Sequence, residues 1–521
     1  MEQENKGIQL LKNGQKGVIK IIFSRMGIVL LLLCLNIALL FALFLRFQEF
    51  LPHVYGGSAV FLIGMVLYLL NTRMDPSAKI TWLVIIMLAP VFGGLLFLYT
   101  KLEIGFKAMR YRLEGILKRS LKDAKQDEAS WSALQKTDPG AAALAQYLYS
   151  VSGMPVYRDT EVTYFPSGEA KLQQLLEELE KATSYIYLEY FIIDEGIMWG
   201  KILEVLARKA TEGVDVRVIY DGTCEFLLLP KGYTAKLKAL GIKCQVFSPA
   251  TPFLSTHYNY RDHRKILVID GKVAFNGGIN LADEYINEKK KFGHWKDTAI
   301  MLRGAAVSSF TMMFLQIWDL CERKQDFAYQ IESIPYKENR GYVIPYNDHP
   351  LDEERVGQRV YLDILSRAKK YVNIMTPYMI LDSETENALK YAAKRGVEVS
   401  ILLPGIPDKK IPYALAKSHY KALVEAGVRI YEYTPGFVHG KVFVCDDREA
   451  VVGTINLDYR SLYHHFECAT YLHSVPAICE IQADFSQCIT RSRQVTPESI
   501  RREKWYYKVL GVLLRVVSPL L

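Results

Sequence analysis

Two strings in this 521-residue sequence carry the residue types needed to exchange a phosphodiester. RDHRKILVIDGKVAFNGGINLADEY (261–285) and FVHGKVFVCDDREAVVGTINLDYRS (437–461) each read H-x-K-x4-D and then G-x-x-N. The members recur 176 residues apart: His263 and His439, Lys265 and Lys441, Asp270 and Asp446, Asn280 and Asn456. On a strand, residues i and i+2 point to one face, so each His projects with its Lys while the apolar residues beyond belong to the packed sheet. Glycines ahead of each Asn let the backbone come close to a bound group. Two imidazoles, two ammonium groups and two amides converging on one point make a phosphate site. The lysines supply charge, the asparagines neutral donors, and the imidazoles a nucleophile and an acid. One histidine in a strand is ordinarily a satisfied core residue; two identical strings at one spacing reverse that expectation.

An imidazole acting as nucleophile needs its second nitrogen held by an acceptor. Aligning HWKDTAI (294–300) with HFECATY (465–471) supplies Asp297 and Glu467 for that task. Asp270 and Asp446, grouped with the catalytic residues by the motif, fall at strand ends beside turns, where they serve equally as turn formers or as support behind the site.

The elements that position these residues also occur twice. KATSYIYLEYFIID (181–194), the helical ILEVLARKATEGV (202–214) and DVRVIYDG (215–222) match RAKKYVNIMTPYMI (367–380), ALKYAAKRGV (388–397) and EVSILLPG (398–405). In each half a helix and a Gly-marked turn then lead to the motif, LKALGIKCQVF (237–247) and YKALVEAGVRIYEY (420–433). Helices alternating with β-branched strands predict an α/β fold with a sheet buried on both faces. The expected division is a first half over 156–335 and a second over 336–495, facing each other about a pseudo-twofold axis with one composite site between them.

The N-terminal hundred residues differ in composition. Apolar runs at about 27–45, 54–71 and 80–99 predict two or three transmembrane helices in a membrane anchor over 1–100, with Trp82 and Tyr99 as interfacial anchors. About two dozen polar residues precede the first run and no small-residue cleavage site follows it, which argues against a signal peptide. Basic residues both before the first run and after the third favour the cytoplasm, which three full spans cannot satisfy together; a re-entrant run is one resolution, and the catalytic unit is expected on the cytoplasmic face of the cell membrane. Residues 101–155 form a mixed-charge helical connector, and 496–521 an amphipathic segment suited to a lipid headgroup region or to packing on the soluble unit. Lys and Arg number 64 against 56 Asp and Glu, a net charge of +8 that suits an anionic partner without choosing phospholipid over nucleic acid. Eight cysteines without a C-x-x-C pair or a partner His at metal-site spacing argue against a disulfide framework or a zinc site.

The paired strings resemble the HKD signatures of the phospholipase D superfamily. With DPSAKITWLVIIMLAPVFGGLLFLYTK (75–101), N-x-R-x-H-R-K (259–265) and the SPLL terminus, residues 56–521 resemble bacterial cardiolipin synthases. The resemblance implies conversion of two phosphatidylglycerol molecules to cardiolipin and glycerol through a phosphatidyl-histidine, with no metal, nucleotide or other cofactor. It makes His263 the nucleophile and His439 the acid/base, and anionic phospholipid in a membrane the partner. The same chemistry with water would be a phospholipase D, and with serine a phosphatidylserine synthase. An HKD nuclease predicts a basic groove with stacking aromatics, whereas the soluble part has no dense Lys/Arg cluster and nucleic acid is not expected as a partner. Two departures stand out: residues 1–50 extend beyond a two-helix anchor, and the usual Gly-Ser ahead of the motif Asn is Gly277–Gly278 in one copy and Gly453–Thr454 in the other. Thr454 keeps a hydroxyl there and Gly278 does not.

Overall fold

A computed structural model describes residues 55–520 apart from 73, 89, 103, 121–123, 249–259, 323–330, 332, 337–339 and 353, together with 38, 41, 42 and 45. The rest of the run expected at 27–45 lies outside the described residues.

The first half contains β1 (Thr160–Phe165), β2 (Tyr185–Tyr190), β3 (Asp215–Asp221), β4 (Lys243–Phe247), β5 (Arg261–Asp262), β6 (Lys265–Ile269), β7 (Val273–Gly277), β8 (His294–Lys296) and β9 (Ala299–Gly304). The second contains β10 (Tyr342–Asp348), β11 (Tyr371–Met375), β12 (Glu398–Pro404), β13 (Arg429–Tyr433), β14 (Gly436–Val438), β15 (Val442–Cys445), β16 (Glu449–Gly453), β17 (His465–His473) and β18 (Ser492–Gln494). One sheet runs β1-β9-β7-β6-β2-β3-β4 and the other β10-β17-β16-β15-β11-β12-β13-β18, so the same order is built twice. In each, three parallel strands (β2-β3-β4, β11-β12-β13) continue into antiparallel ones. Strands such as KILVI (265–269) are buried throughout, as a sheet covered on both faces requires.

The halves share one core. Ile266, Val268 and Ile300 of the first meet Val442, Val444 and Val452 of the second, together with the buried helix Val307–Glu322. Two short strands also cross the divide. β5, just before the first motif, pairs with β17, and β14, just before the second, pairs with β8.

The apolar N-terminal segments depart from the expected spans. Tyr55–Asn71 is a 17-residue helix, about 26 Å long at 1.5 Å per residue. The run 80–99 is not one helix: Pro76–Leu88 and Pro90–Leu102 are separate helices of 13 residues each. Pro90 lacks the N–H that would continue the first and opens the second. The two fold back on each other, with the Trp82 and Phe97 rings 5.2 Å apart. A continuous helix would separate those residues by about 22 Å. Gly93 permits the close approach, since a Cβ there would lie 2.8 Å from the Ile85 carbonyl oxygen. Trp82 is therefore buried between helices and is not an interfacial anchor. Among the described residues no helix is long and apolar enough to cross a membrane.

The connector forms helices Ile104–Ser120, Glu128–Thr137 and Pro139–Ser152. At the C-terminus, Trp505–Val517 packs on Lys410–Glu425, where Gly511 brings the helices close and Arg515 meets Glu386 at 2.8 Å. Thr81 donates to the Val516 carbonyl, tying this helix to the N-terminal hairpin.

Candidate active site

The crossing strands bring the two motifs together. His263 N–H donates to the Phe466 carbonyl at 2.9 Å, and His439 N–H to the Lys296 carbonyl at 2.7 Å. Each histidine is thus fixed by the backbone of the opposite half, one residue short of that half's carboxylate. The side chains cross in the same way. His263 Nδ1 donates to Glu467 Oε1 and Oε2 at 2.9 and 3.0 Å, and His439 Nδ1 donates to Asp297 Oδ2 at 2.7 Å. The alignment that singled out these carboxylates did not say which served which histidine; the structure pairs each with the motif of the other half.

All four groups are buried. Burial pushes the His263 imidazole down to about 3 and His439 to about 4, although the carboxylates pull upward. Burial also pushes Glu467 upward, but its contacts with His263 and His465 outweigh this and hold it below the usual carboxylate range. Asp297 is held low against its own burial by His439 and Lys441. The resting state is therefore neutral imidazole on ionised carboxylate. An ionised carboxylate only accepts, so Nδ1 carries the proton and each Nε2 presents a lone pair.

Lys265 and Lys441 donate to the carbonyl of their own histidine, which orients the ammonium and leaves two further donors on each. Burial lowers Lys265 to about 8 and Lys441 to about 7, with mutual repulsion contributing at Lys441. Lys265 also lowers His439 from across the halves, so the two motifs act in one electrostatic environment. Two poorly solvated amines, whose charged forms an anion between them would stabilise, stand beside two Nε2 lone pairs and form a receptor for a tetrahedral anion.

The remaining candidates divide. Asp270 and Asp446 are not brought to the site. Asp270 accepts from the N–H groups of Thr183, Ser184 and Tyr185 at 2.8 Å, and Asp446 from those of Lys369, Lys370 and Tyr371 at 2.7–2.8 Å. Each sits in the left-handed region (φ 51° and 53°) at the far end of its strand, about 17 Å from the motif lysine at 3.3–3.4 Å per residue. They tie a turn to the start of the neighbouring strand and are structural.

Asn280 is committed to the fold: its Oδ1 accepts from Ile192 N–H at 3.1 Å and its Nδ2 donates to the Tyr285 hydroxyl at 2.7 Å. Asn456 is buried, and its Oδ1 has no hydrogen-bond partner among the described residues. Thr454 donates to Glu467 Oε2, so its hydroxyl supports the carboxylate and is not a phosphate donor. Asp297 receives its second bond from Thr298 N–H at 2.8 Å. A Cβ at Gly278 would fall 2.1 Å from Asp297 Oδ1, which is why that copy has glycine where the other has threonine.

Sequence reasoning missed several residues here. Lys171 is buried, donates to the Tyr190 hydroxyl and the Ile279 carbonyl at 3.2 Å, and is lowered to about 7 by burial. It comes from an amphipathic helix with no motif. Arg264 is buried against Glu189 at 2.5 Å and Asp262 at 3.3 Å, bracing the first motif. His263, His465 and Glu467 bring ligand-type atoms within 4.8 Å of one another. Glu467 is already shared by His263 and Thr454, so the hydrogen-bonded pair accounts for that cluster.

The family model described as "Cardiolipin synthase, PLD-like domain" matches residues 175–318 and 361–489, one stretch in each half. The chain belongs to this family of phospholipase D-like proteins. An uncharacterized protein of Streptococcus mutans serotype c is 54% identical over 465 residues, covering 88% of this chain and 100% of that protein. A cardiolipin synthase of Halalkalibacterium halodurans is 33% identical over 472 residues, 89% of this chain and 92% of the relative. Among solved structures, a phosphatidylserine synthase of Haemophilus influenzae superposes with a TM-score of 0.55 at 16% identity, covering 73% of this chain and 100% of that one, which supports the mixed α/β fold.

Proposed function

We propose that this protein is a cardiolipin synthase, moving a phosphatidyl group from one phosphatidylglycerol to another with release of glycerol. The observation that carries this is the pair of crossed imidazole–carboxylate couples flanked by Lys265 and Lys441. One Nε2 attacks phosphorus, forming a P–N bond as the P–O bond to glycerol breaks. The other imidazole takes up a proton at Nε2 when the anionic phosphodiester fills the site, and gives that proton to the departing oxygen. A hydroxyl of a second phosphatidylglycerol then passes its proton to that imidazole, attacks phosphorus and breaks the P–N bond. Both lysines offset the charge that builds on the phosphoryl oxygens. The choice of phosphatidylglycerol as acceptor, over water or serine, is supported by relatives named cardiolipin synthase at 31–33% identity over most of the chain. The test is purified protein in vesicles of headgroup-labelled phosphatidylglycerol. Cardiolipin and free glycerol in equal amounts are expected; phosphatidic acid as the only lipid product would refute the assignment.

We also propose that the catalytic unit sits at the cytoplasmic face of the cell membrane. Val60, Ile63, Met87 and Leu88 are 60–82% exposed on the N-terminal helices, and Trp505, Val512 and Leu513 are 63–74% exposed on the C-terminal helix tied to them. Such apolar faces on joined elements suit burial in lipid. A hairpin at 76–102 that enters and leaves on one side would put the basic residues before 27 and those after 101 on the same side, as the charge pattern asks. Cys479 is exposed on the soluble part. A membrane-impermeant thiol reagent is expected to label it only after cells are permeabilised; labelling in intact cells would place the unit outside.

A further inference from the structure

The two catalytic histidines have unlike surroundings. Across the pseudo-twofold, Trp295 precedes Lys296, whose carbonyl holds His439, while His465 precedes Phe466, whose carbonyl holds His263. The Trp295 ring lies 5.3 Å from His439, with Tyr285 at 5.4 Å and Phe437 at 5.9 Å, so aromatic rings enclose that histidine. The His465 ring lies 5.5 Å from His263 and lines a cavity of about 540 Å³. This cavity is bounded by Asp75 and Lys79 at the foot of the N-terminal hairpin, by the end of β10, and by Tyr459 and Tyr463 ahead of His465. Asp348 on its wall is in register with Glu467, the carboxylate that holds His263.

His465 is 8% exposed; its Nδ1 faces Glu467 at 3.7 Å, beyond hydrogen-bond distance, and its Nε2 has no hydrogen-bond partner among the described residues. His349, on the same wall, also has an unpartnered Nδ1. Buried polar atoms of this kind await a ligand that can both donate and accept. The wall also carries Asp75, Asp348, Asp352 and Glu354 together with Lys79 and Arg355, so hydrogen-bond acceptors and donors are interspersed around the space, as the several hydroxyls of a glycerol require.

We propose that this cavity is the alcohol subsite, holding the glycerol that departs in the first step and the glycerol end of the acceptor lipid in the second, with His465 as its specificity residue. The inference rests on the cardiolipin synthase assignment and deepens it. It also sets a direction. In an in-line displacement the alcohol oxygen lies between phosphorus and the acid/base histidine, so an alcohol site beside His263 makes His263 the proton carrier. His439 Nε2 then forms the P–N bond, the reverse of the roles the family resemblance implies.

The test compares wild type with His465→Ala in phosphatidylglycerol vesicles, reading the ratio of cardiolipin to phosphatidic acid in each sample. That ratio does not depend on how much protein is folded. Water filling the enlarged cavity is expected to lower it at least tenfold, and added glycerol, which suppresses cardiolipin formation by wild type, is expected to lose its effect. An unchanged ratio with unchanged glycerol sensitivity would overturn the subsite. Peptide mapping of the acid-quenched phosphatidyl-enzyme is expected to find the lipid on His439; finding it on His263 would overturn the direction. Wild type that makes phosphatidic acid alone would instead refute the function on which the subsite depends.

Discussion

Glu467→Gln separates the charge of the crossed pair from its geometry. Gln retains an oxygen acceptor for His263 Nδ1, now held at 2.9 and 3.0 Å by both carboxylate oxygens, but removes the negative charge. A unit charge pair at that distance and an effective dielectric of about 20 interacts by about 5–6 kcal/mol. The charge-assisted hydrogen bond taken alone contributes about 1.5–3 kcal/mol. At about 1.4 kcal/mol per tenfold in rate, the loss in turnover lies between roughly tenfold and ten-thousandfold. His263 is 6% exposed, so water cannot replace the lost charge when the imidazole becomes cationic, and a fall near a thousandfold is expected. The assay is the initial rate of cardiolipin formation from labelled phosphatidylglycerol, with circular dichroism confirming the fold. A loss under threefold in folded protein would refute the role assigned to the pair.

Other perturbations follow from the same geometry. Both histidines are lowered, to about 3 and about 4, so from the ordinary value of 6.5 downward the unfolded chain binds more protons than the native one; stability is expected to fall as pH drops from about 6.5 toward 4, and His439→Gln should flatten that decline in denaturant titrations. Asp446→Ala removes the acceptor for three backbone N–H groups at 2.7–2.8 Å, and is expected to cost about 2 kcal/mol in urea unfolding while turnover per folded molecule stays within about twofold. A hundredfold loss without destabilisation would return Asp446 to the catalytic set. Gly278→Ser puts a Cβ 2.1 Å from Asp297 Oδ1, displacing the carboxylate from His439, and is expected to cut turnover about a hundredfold or more. Full activity in that variant would show the Asp297 contact to be dispensable.

The candidate site residues His263, Lys265, His439 and Lys441 were legible because the proposed chemistry imposes spacing: His and Lys share a strand face, and the repeat doubles every term. Asp297 and Glu467 emerged from aligning the two copies, but their crossing did not, because it depends on β5 meeting β17 and β14 meeting β8 across the halves. The motif aspartates misled for the opposite reason. They recur as regularly as the histidines, yet what they satisfy is backbone, and recurrence alone cannot separate a fold requirement from a catalytic one. Hydropathy at 80–99 was uniform, while the break was set by one missing N–H at Pro90 and one missing Cβ at Gly93, which an averaged window does not register. Lys171 carries no local signal, since only the tertiary fold brings it beside the motifs, and His465, though it heads the aligned string at 465–471, has no histidine at the matching place before Asp297, where Trp295 stands.

That the two motifs make one site is tested most directly by the number of phosphatidyl groups trapped per chain when the enzyme is acid-quenched during turnover of labelled phosphatidylglycerol. One composite site predicts a limit of one acid-labile phosphatidyl-histidine per chain, with cardiolipin formation lost when either His263 or His439 is replaced by Ala. Two labels per chain, or half the activity remaining in each single variant, would instead show two independent sites.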